Sequence, residues 1–196
     1  MSEPVRLVDR AARREVLLDA ADRIVRRDGP AASMAAIAAE AGITKPILYR
    51  HFGDKSGLYA ALADRYTGRL LGDLQQALEA GRTRRDRVER TVDAYLSAIE
   101  NEPQVYRFLV HPDTQTAEAA AAQSQVRSFT RRLSALLAAG MAAELAAPPE
   151  RASAWGHGIV GMVQSAGDWW LDTGSCTRAQ LVQELTELLF GAYASS

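Results

Sequence analysis

The chain has few of the residues from which most small-protein chemistry is built. A single cysteine, Cys176, excludes an intramolecular disulfide and any cysteine-rich zinc site. The three histidines, at 51, 111 and 157, fall at no metal-ligand spacing, so neither a metal nor another cofactor is expected. Positive charge is not in excess either. Twenty-three Lys+Arg against 24 Asp+Glu leave a net charge of −1 and a pI near 6.3. Taken over the whole chain, that balance argues against a nucleic-acid binder, whose domain pI often exceeds about 9. No window approaches the ~18 consecutive apolar residues of a membrane span. The segment Met1 to Arg14 carries Arg6, Arg10, Arg13 and Arg14 without an apolar stretch, which reads as an unexported, cytoplasmic protein. No nucleophile, base and oxyanion donors can be assembled locally, so an enzyme is not expected.

Alternating runs of β-branched and aromatic residues are missing too, and no strand is expected. What is present is helical periodicity throughout 196 residues, 47% of them hydrophobic. Leu17, Ala21 and Val25, with Val16, Ala20 and Ile24, recur at spacing four and predict a helix from about Arg10 to Arg27. Asp28-Gly29-Pro30 stops it. Ser33 caps a short second helix through Glu40, with Met34, Ile37 and Ala41 on one face. Gly42 ends it. Thr44 caps a third helix through Phe52, with Pro46 in the first turn, where a missing N–H costs little. Asp54 opens a long fourth helix to about Ala80. Five more follow at about Arg84–Glu100, Gln104–Leu109, Thr116–Leu145, Glu150–Asp172 and Thr177–Ala194. Pro103, Pro112, Pro148-Pro149 and Thr173-Gly174-Ser175 separate them.

The informative window runs from Ser33 to Phe52. It reads as short helix, glycine turn, short helix, the order of a helix-turn-helix whose second helix enters the DNA major groove. In that second helix Leu48 and Phe52 share a face with Ile43 and should pack inward. Lys45, Pro46, Tyr49 and Arg50 lie on the opposite face. Thr44 and the helix N–H groups suit a phosphate. Lys45 and Arg50 reach phosphates or guanine edges, and Pro46 or Ile47 can touch a thymine methyl.

From about Arg13 to Leu62 the sequence resembles the tetracycline-repressor (TetR) family of bacterial transcription factors. The resemblance rests on R-R-E-V-L-L-D-A-A and on A-G-I-T-K-P-I-L-Y-R-H-F-G-D-K-S-G-L. It implies an all-α fold with an N-terminal three-helix DNA-binding domain and a larger helical domain for ligand binding and dimerisation. It implies a homodimer on a palindromic double-stranded operator, released by a small effector. Carried over by position, Ser33 and Thr44 would touch phosphate, and Lys45, Pro46 and Ile47 would face base edges. Tyr49, His51 and Lys55 would contact phosphate, and Arg50 either. Arg10, Arg13 and Arg14 would form an arm on the backbone or remain solvent-facing charge. Two positions depart from the pattern: Pro46 and Ile47 replace commonly small residues, and Ala36 replaces the usual acid after the cap.

Divided at residue 58, the charge is uneven. Residues 1–58 hold ten Lys/Arg and eight Asp/Glu, net +2, and residues 59–196 hold thirteen and sixteen, net −3. The expected division is therefore 1–58 as the DNA-binding domain, with 1–9 a flexible arm, and 59–196 as the sensing and dimerisation domain. In the latter, Gly156, Gly158 and Gly161 match G-x-G-x-x-G, but no strand precedes them, so a dinucleotide site is rejected. Close approach of another helix explains them better. Gly158, Gly161, Ser165, Leu181, Leu185, Leu188 and Leu189 are the expected dimer contacts. Tyr95, Tyr106, Phe108, Phe129, Met162, Gln164, Trp169 and Trp170 are candidates for a hydrophobic or amphipathic effector site. His111 and His157 are read as packing or surface residues. The alternatives are an activator, a constitutive DNA-binding regulator without effector, and a small-molecule carrier that no longer binds DNA.

Overall fold

A computed structural model describes residues 3–110 and 117–194, and side chains from Ala12 to Val110 and from Gln123 to Gly191, Gln125 excepted. Among them there are nine α-helices and no strand. In chain order these are α1 (Glu3–Asp28), α2 (Met34–Glu40), α3 (Lys45–Phe52), α4 (Lys55–Ala80), α5 (Arg84–Asn101), α6 (Pro103–Val110), α7 (Ala117–Leu145), α8 (Pro149–Thr173) and α9 (Arg178–Ala194). A 3-10 turn, Gly29–Ala31, follows α1. His111 and the side chains of Arg6 and Arg10 lie outside the described residues. The backbone of α1 extends back to Glu3, into the segment expected as an arm. Pro4 falls in its first turn, where no N–H is needed.

The chain divides into two compact units. One comprises residues 1–66 with 104–126, the other 67–103 with 127–196. The division expected at residue 58 falls inside α4, because Leu58, Tyr59, Leu62, Ala63 and Tyr66 on α4 belong to the first unit's core. That core also holds Leu17, Leu18, Ala21, Ile24 and Val25 of α1, Met34, Ile37 and Ala38 of α2, and Leu48 and Phe52 of α3. Helix α6 completes it through Val105, Phe108 and Leu109. Tyr59 meets Phe108 edge to face with centroids 4.9 Å apart, and its hydroxyl donates to the Ala32 carbonyl at 2.6 Å. Buried phenols need such a partner, and this one ties α4 to the residue before the helix-turn-helix.

The second unit packs α5 against α9 and α8. Its caps follow from sequence. Thr83 accepts from the Asp86 N–H at 3.1 Å at the start of α5, and Thr177 from the Gln180 N–H at 3.3 Å before α9. Gly174, at φ +58, closes α8 in the left-handed conformation, its N–H on the Trp170 carbonyl at 2.9 Å. Trp170 then donates its indole N–H to the Cys176 carbonyl at 2.7 Å and fixes the turn into α9.

Candidate nucleic-acid interface and effector cavity

In the helix-turn-helix, local hydrogen bonds set the angle between α2 and α3. Ser33 Oγ accepts from the Ala36 N–H at 3.2 Å, so α2 is capped although the reciprocal acid is absent. At its other end the Gly42 N–H reaches the Ala39 carbonyl and the Ile43 N–H the Ala38 carbonyl, at 3.1 and 3.0 Å. Gly42 sits at φ +64 to make this possible, a conformation that costs a side-chain-bearing residue more. Thr44 starts α3 with extended backbone and makes no capping bond with its hydroxyl.

The two faces of α3 separate as the periodicity predicts. Leu48 and Phe52 are buried, and Ile43 packs against the same cluster. Thr44, Lys45, Pro46, Tyr49 and Arg50 are exposed, and Ile47 and His51 half-buried. Tyr49, 37% exposed, is among the large hydrophobic side chains left at the surface. Lys55 lies half-buried at the start of α4, its ammonium 5.1 Å from the Tyr59 ring centre. The structure thus brings Ser33, Thr44, Lys45, Pro46, Tyr49 and Arg50 to the surface of one supersecondary unit.

Charge pairing separates the basic residues of this unit into two groups. Arg23 pairs with Glu40 at 2.6 Å, Arg26 with Asp22 at 2.9 Å, Arg27 with Asp28 at 2.7 Å and Arg65 with Asp19 at 2.5 Å. The Arg27 hydrogen bond holds the Asp28 carboxyl below its ordinary range. Arg14 stacks over the Phe52 ring at 4.9 Å, while Arg13 is exposed. Among the described residues, Lys45 and Arg50 on α3 have no acid partner. An unpaired cation at a surface offers its full charge to a phosphate, whereas a paired one must first give up its partner.

The second unit contains a cavity of about 210 Å³. Leu74 and Leu78 of α4, Val88, Val92 and Tyr95 of α5, and Leu133, Leu137 and Met141 of α7 line it. Ile159, Val160, Val163 and Gln164 of α8 and Leu189 and Phe190 of α9 close it, with Arg84, Arg87 and Glu144 at the edge. Of the expected effector residues, Tyr95 and Gln164 line the cavity and the others do not. Phe108 is core of the first unit, and Tyr106 is buried on the same helix. Phe129 is buried, Met162 half-buried, and Trp170 is held on the turn. Trp169 is 50% exposed. Most of the other lining residues are aliphatic positions on five helices, whose spacing looks the same for core and cavity.

The expected dimer contacts divide likewise. Gly158, Gly161 and Ser165 lie exposed on α8, and a Cβ at either glycine would meet nothing within 4 Å. Leu188 is 57% exposed. Leu181, Leu185 and Leu189 are instead buried within the unit, where α9 packs on α5.

An all-helical chain with a helix-turn-helix whose second helix shows unpaired cations is a DNA-binding regulator in architecture. Comparison with known proteins agrees. Residues 17–62 match the family model described as "Bacterial regulatory proteins, tetR family", and residues 73–196 that described as "Tetracyclin repressor-like, C-terminal domain". An HTH-type transcriptional regulator of Mycobacterium tuberculosis is 30% identical over 181 residues, 92% of this chain and 76% of that one. The HTH-type transcriptional activator FasR of Mycolicibacterium smegmatis is 37% identical over 114 residues, 58% of this chain and about half, 52%, of the relative. A TetR-like transcriptional regulator from Rhodococcus sp. RHA1 superposes with a TM-score of 0.68 at 26% identity, covering 95% and 98% of the two chains. The chain belongs to the TetR family of DNA-binding transcriptional regulators, which are not enzymes. No helix among the described residues is long and apolar enough to cross a membrane.

Proposed function

We propose that this protein is a cytoplasmic, effector-responsive repressor that binds a palindromic operator as a homodimer. The observation that carries the reading is the face of α3, where Lys45, Tyr49 and Arg50 are exposed and the two cations lack acid partners among the described residues. In this reading the two recognition helices of a dimer enter successive major grooves about 34–36 Å apart. Thr44, Tyr49, His51, Lys55 and Ser33 hold phosphates, and Lys45, Pro46 and Ile47 face bases, with Arg50 on either. Gly158, Gly161, Ser165, Trp169 and Leu188 supply the open face against the second copy. The cavity lined by Tyr95 and Gln164 receives the effector. Helix α4, 26 residues long, carries the response, shifting the population by as much as the effector's differential affinity for the two states.

The test is a gel shift on the DNA upstream of the protein's own gene, wild type against Tyr49→Ala. The expected result is a retarded complex for the wild type and at least tenfold weaker binding for the variant. Undiminished binding by Tyr49→Ala would remove this face from the interface. A second reading, an activator, is favoured by the printed name of the Mycolicibacterium relative. A reporter in a deletion strain separates the two: expression rises on loss of a repressor and falls on loss of an activator.

A further inference from the structure

The cavity of the second unit is not uniform along its length. The lining residues of α5 begin with Arg84 and Arg87 in its first turn and end with the buried Tyr95. Those of α7 run the other way, from the buried Leu133 to the exposed Glu144. One end is therefore charged and open to solvent, and the other is apolar and closed. From Arg87 to Tyr95 the helical rise gives a depth of about 12 Å. Few polar groups interrupt it. The Thr91 hydroxyl already donates to the Arg87 carbonyl at 2.7 Å, and the Gln164 amide to Thr130 at 3.4 Å.

At the open end Arg87 forms an ion pair with Glu144 across α5 and α7, with the two side chains 26% and 41% exposed. Arg84 stands over the ring of Phe190, another lining residue, at 5.6 Å. At this end the lining thus holds two guanidiniums and one carboxylate beside an apolar cavity. A guanidinium has five donors, and one carboxylate cannot use them all.

We infer that the cavity takes a ligand with an apolar chain and an anionic head, and that Arg87 binds the head in place of Glu144. The inference rests on the reading of this cavity as the effector site and specifies its ligand class. A cationic head would lie against Arg84 and Arg87. A neutral head would leave the Arg87–Glu144 pair in place. A carboxylate or phosphate replaces Glu144 on Arg87 with a hydrogen bond of the same kind, while the chain leaves water for the apolar depth. The exchange also breaks a link between α5 and α7, which gives the ligand a differential interaction with two arrangements of the unit.

The experiment is calorimetric titration of the full-length protein with decanoate, decyl phosphate, 1-decanol and decylammonium, each below its aggregation concentration. In the wild type the tighter of the two anions should bind about tenfold or more tightly than decanol, and decylammonium most weakly. Whichever anion wins names the head. Arg87→Gln should bring the anions to within about twofold of decanol, and Glu144→Gln should tighten the anions several-fold without changing decanol. Equal binding of all four probes to the wild type overturns the head-group assignment and leaves the cavity as a site for apolar ligands. Absence of binding by every probe overturns the effector-site reading as well.

Discussion

Three glycines of one helix offer the same substitution with opposite expected signs. Replacing glycine by alanine inside a helix stabilises it by ~0.8–1.0 kcal/mol, through reduced freedom of the unfolded chain. At Gly158 and Gly161 nothing lies within 4 Å of the new Cβ, so the helical gain should appear undiminished in the isolated chain. At Gly156 the Cβ would stand 2.4 Å from the Ser134 carbonyl oxygen and 3.4 Å from the Ala138 nitrogen. Both are backbone atoms of α7, so no side chain can turn aside, and α7 and α8 must separate. Overpacking of this kind costs ~1–3 kcal/mol, and the rigidity of the opposing backbone places it at the upper end. Set against the helical gain of about 1 kcal/mol, Gly156→Ala should lose about 2 kcal/mol, a fall of roughly 4–8 °C in Tm. Gly158→Ala and Gly161→Ala should each raise Tm by about 2–4 °C when measured dilute. If α8 meets its copy in a dimer, the same two changes weaken association, and the advantage shrinks or reverses as protein concentration rises. Thermal unfolding by circular dichroism at two concentrations, with sedimentation equilibrium beside it, reads both effects. A Gly156→Ala protein as stable as the wild type would refute the close approach. Destabilisation of dilute Gly158→Ala would refute the open face.

Filling the cavity with Leu133→Trp should abolish release of DNA by the effector while leaving operator affinity within about twofold, read by fluorescence anisotropy, since Leu133 lines the cavity far from α3 in sequence. Replacing Lys45 or Arg50 by alanine should lower the slope of log affinity against log salt by about 0.9 for each phosphate no longer neutralised, so by ~1.8 in a dimer. An unchanged slope with lower affinity would instead assign that residue to a base. The Asp86 carboxyl is held below its ordinary range, first by the Arg82 backbone N–H and then by the Arg90 side chain. Its folded pKa is depressed, so the stabilisation is present above the ordinary carboxylate range and disappears as pH falls through the folded value. Wild type and Asp86→Asn should therefore differ in urea midpoint at pH 7 and converge near pH 2.

Apart from the start of α1, the helical boundaries were legible because their signals are local. Ser33, Thr44 and Asp54 stand at helix starts, and Gly42 and Gly174 at ends, and each reports a backbone conformation that a few neighbouring atoms decide. The face of α3 was legible for the same reason, since eight residues around two buried anchors leave one way to turn. The destination of an apolar helical face is not local. Leu181, Leu185 and Leu188 recur on one stripe, yet the first two are buried and the third is exposed. Phe108 and Tyr95 look alike as aromatics on amphipathic helices, but they belong to different units, because α6 returns to the first unit after α5 has served the second. Of the large aromatics expected at the effector site, Tyr95 lines the cavity and the others lie elsewhere. A cavity between helices is defined by what fails to meet across it, and aliphatic residues such as Val88 and Leu137 do that as well as rings.

The electrostatic objection raised by the net charge of −1 dissolves when pairing replaces counting. Interaction between exposed charges decays over a Debye length of about 8 Å at physiological salt, so acids elsewhere in the chain contribute little at α3. What matters near DNA is which cations still lack a partner. In the first unit Glu40, Asp22, Asp28 and Asp19, half of the eight acids in residues 1–58, each engage an arginine of α1 or α4. Among the described residues these acids pair with arginines and none pairs with Lys45 or Arg50 on α3, which stand beside a threonine hydroxyl with no capping bond. An excess of two charges over the first 58 residues is small as a sum and sufficient as an arrangement. In the proposed dimer two copies would double it at a fixed spacing, and non-matching DNA would not meet both copies' side chains at once. Selectivity in such a protein rests on where the cations stand, which a basic pI would not have supplied.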